Sequence, residues 1–205
     1  MQWFYRIAYR LGFTPWEGAS THEAAMISEM FAREESERQS PYGRALDLGC
    51  GSGMQSVQLA RRGWQVTGVE LVPKALDTAR RRARDAGVDV QLVRGDVTDL
   101  QALGIGSDFQ FVLDFGLFHG LDDVQRQAMG REVTKAAAPG ATLLMIAWGP
   151  GSRWPLPRGA SANDIERAFP AWKVIGEDAI SASALPAALK NVNPRFYRLR
   201  HRPNR

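Results

Sequence analysis

From residue 44 onward, apolar positions along this chain alternate between two rhythms. Short stretches at 45–48, 64–70, 88–93, 108–114 and 141–148 are apolar throughout or at every second residue, which predicts strands. The stretches between them space apolar residues by three and four, which predicts helices after residue 53, at 73–87, at 122–137 and from 163 to 169. Pro73 suits a first helical position and Gly87 a helix end. Pro139 and Gly140 predict a turn before a near-continuous apolar strand of the kind buried on both faces. Two further strands are expected at 172–180 and 195–202. Strands alternating with helices predict a layered α/β sheet with helices on both faces.

The segment before residue 44 reads differently. Trp3, Phe4, Ile7, Ala8 and Leu11 share one stripe of a short helix, best read as a cover on the domain behind it. Residues 12–18 form a loop around Pro15 and Trp16. Ser20 and Glu23 have capping-box spacing, and Met26, Ile27, Met30 and Phe31 give the following helix an apolar side. The expected division is residues 1–43 as N-terminal helices and a covering loop, and 44–205 as core, within one compact domain.

The chemistry gathers where the first strand meets the first core helix, at Asp47-Leu48-Gly49-Cys50-Gly51-Ser52-Gly53. Glycines in a strand-to-helix turn tolerate left-handed backbone and let a bound group approach the chain. Such a turn at the end of a parallel sheet is a natural cofactor cradle. Dinucleotide folds space their glycines G-x-G-x-x-G. Here the sixth residue from Gly49 is Met54 and from Gly51 is Ser56, so neither frame fits. The pattern is instead acid-x-Gly-x-Gly-x-Gly. It resembles the first motif of class I S-adenosylmethionine (SAM)-dependent methyltransferases, with every position filled. The resemblance implies a Rossmann-like fold with a seven-stranded, mostly parallel sheet and an antiparallel last strand. It also implies SAM as cofactor, S-adenosylhomocysteine as product, and Asp47, Gly49, Gly51 and Gly53 as cofactor-binding residues.

Glu70 ends the second strand at about the separation, roughly 20 residues, at which nucleotide folds place a ribose-binding acid. Leu71 is assigned to the cofactor beside it. The third strand closes on Asp96 and Val97, and the resemblance implies that these meet the adenine. The fourth strand ends at Asp114, expected to face cofactor and acceptor, and runs into Phe115-Gly116-Leu117-Phe118-His119. That string is similar to the Asp-x-Gly-Leu-Phe-His segment of a small-molecule branch that includes thiopurine and heterocyclic-thiol methyltransferases. The Pro15-Trp16-Glu17 segment resembles one that closes over SAM in the same branch, which implies a cofactor-covering role for Trp16. Some relatives carry arginine or serine where this chain has Phe115, so a polar contact is replaced by an apolar wall. Phe115, Phe118, Trp148 and Trp154 are the expected lining of an aromatic or hydrophobic acceptor site, and His119 is the candidate base.

Composition narrows the remaining choices. The 205 residues suffice for one domain with a substantial core. A single cysteine, Cys50, excludes an internal disulfide and a cysteine-rich metal site, and no metal is expected. No run reaches the ~20 apolar residues of a membrane span, and the start lacks a signal-peptide pattern, so a cytoplasmic protein is expected. The +4 charge and the arginine-rich stretch Arg80-Arg81-Arg82 with Arg84 raise a nucleic-acid reading, but the arginines are dispersed and this group reads as a solvated helix face. The sequence therefore points to methyl transfer onto a thiol or hydroxyl of a small acceptor, with no nucleic-acid partner expected. An RNA methyltransferase and a non-catalytic SAM-binding regulator are the alternatives, and the glycine spacing opposes a dehydrogenase.

Overall fold

The computed structural model describes residues 21–151, 157–180 and 192–202. The expected helix at 1–11 and loop at 12–18 lie outside them. Helix α1 (Thr21–Ser36) leads into strand β1 (Arg44–Leu48), helix α2 (Met54–Arg61), strand β2 (Gln65–Glu70), helix α3 (Pro73–Asp85) and strand β3 (Gln91–Arg94). Strand β4 (Phe109–Phe115), helix α4 (Asp123–Ala136), strand β5 (Ala137–Trp148), helix α5 (Ala162–Ala168) and strands β6 (Trp172–Ala179) and β7 (Pro194–His201) follow. The strands form one seven-stranded sheet in the order β3-β2-β1-β4-β5-β7-β6. Pairings from β3 to β5 are parallel, and β7 lies antiparallel between β5 and β6. The chain therefore leaves β1 toward β2 on one side and returns to β4 on the other, the switch point beside which open α/β sheets bind ligands.

Two apolar layers sandwich this sheet. On one face Met129 and Val133 of α4 and Ile165 and Ala168 of α5 pack over Leu46, Val112, Leu143 and Tyr197. On the other, Ile27 and Phe31 of α1 and Leu59 of α2 pack over Ala45, Phe111, Leu113 and Leu144. Burying the sheet on both sides is what makes β4 and β5 nearly continuous in apolar residues. Helices α4 and α5 open with reciprocal capping boxes, Asp122 with Gln125 and Ser161 with Asp164, which satisfy otherwise orphaned N–H groups. Helix α1 is tied to the sheet by charge. The buried Glu34 carboxylate meets Arg198 on β7 and accepts from the Thr142 hydroxyl on β5 at 2.7 Å.

One local expectation is corrected. Pro139 and Gly140 make no separate turn, because β5 starts directly where α4 stops. The pairing partner of Phe109 is Ala137 and that of Phe111 is Thr142, so the extra residues, with Gly140 at φ 76°, are absorbed as an irregularity inside the strand.

Where α4 crosses α5, Gly130 leaves no room for a side chain: a Cβ there would stand 1.8 Å from the Ala168 carbonyl oxygen. Gly130→Ala is expected to cost about 3 kcal/mol or more, since neither backbone can yield without moving a helix. Urea denaturation of the variant checks this, and a loss below about 1 kcal/mol would contradict the crossing.

Candidate active site

The acid-glycine turn sits at the carboxyl end of β1, beside the switch point. Gly49, Gly51 and Gly53 all have left-handed backbone, with φ of 64°, 53° and 75°. That alternation lets the chain reverse within a few residues, with Gly53 N–H donating to the Cys50 carbonyl at 2.8 Å and Gly53 capping α2. The packing supplies a second reason for glycine. A Cβ on Gly53 would lie 2.8 Å from the Ala79 methyl of α3, and one on Gly49 would press on Leu117 at 3.3 Å.

Glu70, at the tip of β2, reaches across to this turn. Its carboxylate accepts from Gly51 N–H at 3.1 Å and from Val72 N–H at 2.7 Å. Leu71 is half-buried between them. Asp96 follows the tip of β3, where Arg94 pairs in register with Glu70. Its carboxylate accepts from the Thr98 amide and hydroxyl at 3.0 and 2.8 Å, and Val97 beside it is buried. Asp47 is buried beneath the turn and accepts from the Ser56 hydroxyl at 2.5 Å. Burial raises its pKa to about 6; the Ser56 contact opposes the shift and the nearby Glu70 charge adds to it. The structure thus brings Asp47, Gly49, Gly51, Gly53, Glu70, Leu71, Asp96 and Val97 around three adjoining strand tips. A glycine-built backbone turn, with an acid at the tip of β2 and another just past β3 beyond it, is a set of groups that fits an adenosyl cofactor.

Beyond β4 the expectations are corrected. Asp114 is fully buried and turned toward the segment that follows it. Its carboxylate accepts from Leu117 N–H at 2.8 Å and Phe118 N–H at 3.1 Å, so it organises the turn that follows. Burial raises its pKa to about 7 against the pull of those amides. Phe118 is also fully buried, packed on Phe169 and beneath the Arg126 guanidinium, and lines no acceptor site. The strand-to-turn geometry points its ring into the α4–α5 layer. Phe115 is half-buried and stacks on Phe31 of α1, with ring centroids 6.3 Å apart. Trp148 is half-buried at the end of β5. Trp16 and Trp154 lie outside the described residues.

His119 is brought to the expected edge, but its one ring lone pair is already engaged. Its ring stacks on Trp148 at 4.6 Å, and Nδ1 accepts the Trp148 N–H at 3.3 Å. In the neutral ring the proton therefore sits on Nε2, which is buried and meets no hydrogen-bond partner among the described residues. Burial, helped by the Arg126 charge, lowers its pKa to about 3. With its lone pair held by the Trp148 amide, the neutral ring has none left to take a proton from an acceptor in this arrangement.

Three residues outside the sequence-based set hold this edge together. Ser56 fixes Asp47; Arg82 reaches from α3 to the Ser52 carbonyl and hydroxyl; Arg126 donates to the carbonyls of Phe118 at 3.2 Å and Gly159 at 2.6 Å. Ser56 was findable as a hydroxyl one helical turn past the glycines. The two arginines carry no motif. A separate hollow of about 330 Å³ lies away from the turn, beneath α1, between Met26, Met30, Leu144 and Phe196. Among the described residues no cluster of three or more histidine, cysteine or acidic side chains could hold a metal ion. Nor is any helix there long and apolar enough to cross a membrane.

A seven-stranded sheet in this order, with an acid-glycine turn at the switch point, defines the class I SAM-dependent methyltransferase fold. Residues 45–140 match the model of a family described as a methyltransferase domain. Among curated relatives, a 2-heptyl-1-hydroxyquinolin-4(1H)-one methyltransferase of Mycobacteroides abscessus is 31% identical over 106 residues, 51% of this chain and 46% of the relative. A ubiquinone biosynthesis O-methyltransferase of Xanthomonas axonopodis pv. citri is 42% identical over 73 residues, 35% of this chain and 30% of the relative. The match thus spans less than half of either relative. Among solved structures, the N-methyltransferase NodS of Bradyrhizobium japonicum in complex with S-adenosylhomocysteine aligns with a TM-score of 0.72 at 17% identity, covering 89% of this chain and 88% of that one.

The state of His119 has a signed consequence for stability. Its folded pKa lies below the unfolded value of 6.5, so its contribution is full above pH 6.5 and is lost as pH falls toward 3. Asp47 and Asp114, with raised folded values, act in the opposite sense, gaining stability as pH falls from about 7 toward their unfolded range. His119→Asn removes only the first effect. Between about pH 7.5 and pH 5 the wild type is expected to lose about 2 kcal/mol that the variant does not. Urea midpoints at the two pH values measure the difference, and parallel pH dependences would show that His119 is protonated in the fold.

Proposed function

We propose that this protein is a SAM-dependent methyltransferase acting on a small molecule, with an oxygen of a hydroxylated aromatic ring as the favoured acceptor and a thiol as the second choice. The observation that carries the reading is the Glu70 carboxylate bonded to Gly51 inside the acid-glycine turn, with Asp96 on the next strand tip. In this reading Glu70 meets the ribose hydroxyls, Asp96 and Val97 the adenine, and Gly49, Gly51 and Gly53 let the backbone approach the methionyl portion. Asp47 acts from below, by fixing the first turn of α2 through Ser56. When bound, the cofactor supplies a methyl group already activated on a sulfonium. What remains for the protein is to hold the acceptor in line at contact distance and keep water out.

The residues on the acceptor side suit that task. Phe115 and Trp148 offer half-buried aromatic surface at the ends of β4 and β5. Arg126 links the turn after β4 to the loop after β5, so one guanidinium ties both sides of that wall. The hydroxyquinolone and ubiquinone-pathway relatives support oxygen as the acceptor atom. Buried, neutral His119 stacks on Trp148 and holds its ring in place, its lone pair engaged by the Trp148 amide.

Calorimetry with S-adenosylhomocysteine tests the cofactor half, and labelled SAM with a panel of hydroxy-aromatics and aromatic thiols tests the acceptor half. Wild-type protein is expected to bind S-adenosylhomocysteine. Glu70→Ala is expected to weaken binding by about thirtyfold, the worth of losing charge-assisted hydrogen bonds to two hydroxyls. Undiminished binding by the variant would remove Glu70 from the site. Label moving to thiols alone would reverse the preference for oxygen.

A further inference from the structure

The arginine-rich stretch of α3 does not behave uniformly. Arg80, Arg81 and Arg84 are exposed, as a solvated helix face requires. Arg82 is half-buried and turns the other way. A single guanidinium nitrogen, Nη1, donates to the Ser52 carbonyl at 2.7 Å and approaches the Ser52 hydroxyl at 2.5 Å. One helical turn earlier, Ala79 presses on Gly53 so closely that a Cβ there would stand 2.8 Å away. Helix α3 thus lies against the turn, and Arg82 is the side chain that grips it.

Ser52 is the residue between two left-handed glycines, Gly51 at φ 53° and Gly53 at φ 75°. Glycine has the largest conformational freedom to lose, so a turn built on it is costly to order. Glu70 secures one side of the turn through Gly51 N–H. The carbonyl of the next residue points to α3, where a charged donor is worth more than a neutral one. From these contacts we infer that Arg82 is a positioning residue: it straps the glycine turn into the shape that accepts the cofactor. It touches neither cofactor nor acceptor and acts through Ser52. The inference rests on the cofactor reading above and adds to it a residue that no glycine motif contains.

The test uses the full chain. Arg82→Met keeps the packing of the aliphatic stem and removes the donors; Arg82→Lys restores one donor; Arg80→Met is the surface control on the same helix. Hydrogen exchange of the Ser52, Gly53 and Met54 amides is followed without cofactor, and S-adenosylhomocysteine binding by calorimetry. Arg82→Met is expected to exchange faster at those amides and to bind about tenfold more weakly. Arg82→Lys should recover part of both losses, and Arg80→Met should match wild type. Binding by Arg82→Met within twofold of wild type overturns the inference, and so does weaker binding with unchanged exchange at the turn. Where Arg82→Met does not fold, Ser52→Ala, which keeps the carbonyl contact, is read in its place, with about twofold to threefold weaker binding expected and unaltered binding overturning the strap. If wild-type protein ignores S-adenosylhomocysteine, the cofactor reading fails and the strap's role fails with it. Exchange that is faster only in Arg82→Met then marks the strap as a structural contact alone.

Discussion

The arrangement depends on one carboxylate that joins two pieces of backbone, the glycine turn after β1 and the start of α3 after β2. Glu70 ends β2, and the glycine turn ends β1; strand pairing brings them alongside, but pairing stops at Leu48 and Val69. Past that point the chain must reverse into α2 through residues in left-handed backbone. Cys50 N–H donates to the Val69 carbonyl at 3.0 Å, and the Glu70 carboxylate, accepting from Gly51 and Val72, carries the order of the sheet one step further. The first turns of both helices that follow are thereby set relative to each other. Gly53 and Ala79 can then touch, and Arg82 can reach Ser52.

Burial decides the chemistry at the neighbouring edge. Asp47, Asp114 and His119 are all removed from water, and each is read by what it meets there. Asp114 spends its charge on the amides of the turn that follows it. His119 gives its one lone pair to a backbone N–H and stays neutral. These are the roles of residues that shape a wall. In the proposed function they leave the half-buried surfaces of Phe115 and Trp148 to meet an acceptor, and they suit a transfer in which placement matters more than proton removal.

Charge does a different job on the α1 side. Glu34 is almost wholly buried, and it is made tolerable by Arg198, Thr142 and Arg38 around it. A buried pair of this kind contributes less to net stability than to uniqueness of docking, because either partner alone would be costly to bury. It seats α1 in one register, so that Phe31 meets both Phe111 and Phe115.

Local pattern was enough for the order of elements, the α/β layering, the acid-glycine turn and the acids at Glu70 and Asp96, because strand and helix periods and glycine spacing are properties of neighbours in the chain. The Pro139-Gly140 turn misled, since a bulge inside a strand and a turn before one share the same residues. Phe118 and His119 misled for another reason: residue type announces a chemistry, but only the packing of α4, α5 and β5 around them says which atoms reach a groove. Arg82 was hidden among surface arginines for the same cause. Its orientation follows from the pressing of α3 onto Gly53, a contact between segments far apart in sequence. The chain by itself determined which backbone could cradle a cofactor; tertiary structure alone decided which side chains are free to act on it, because exposure and protonation belong to a neighbourhood and not to a residue.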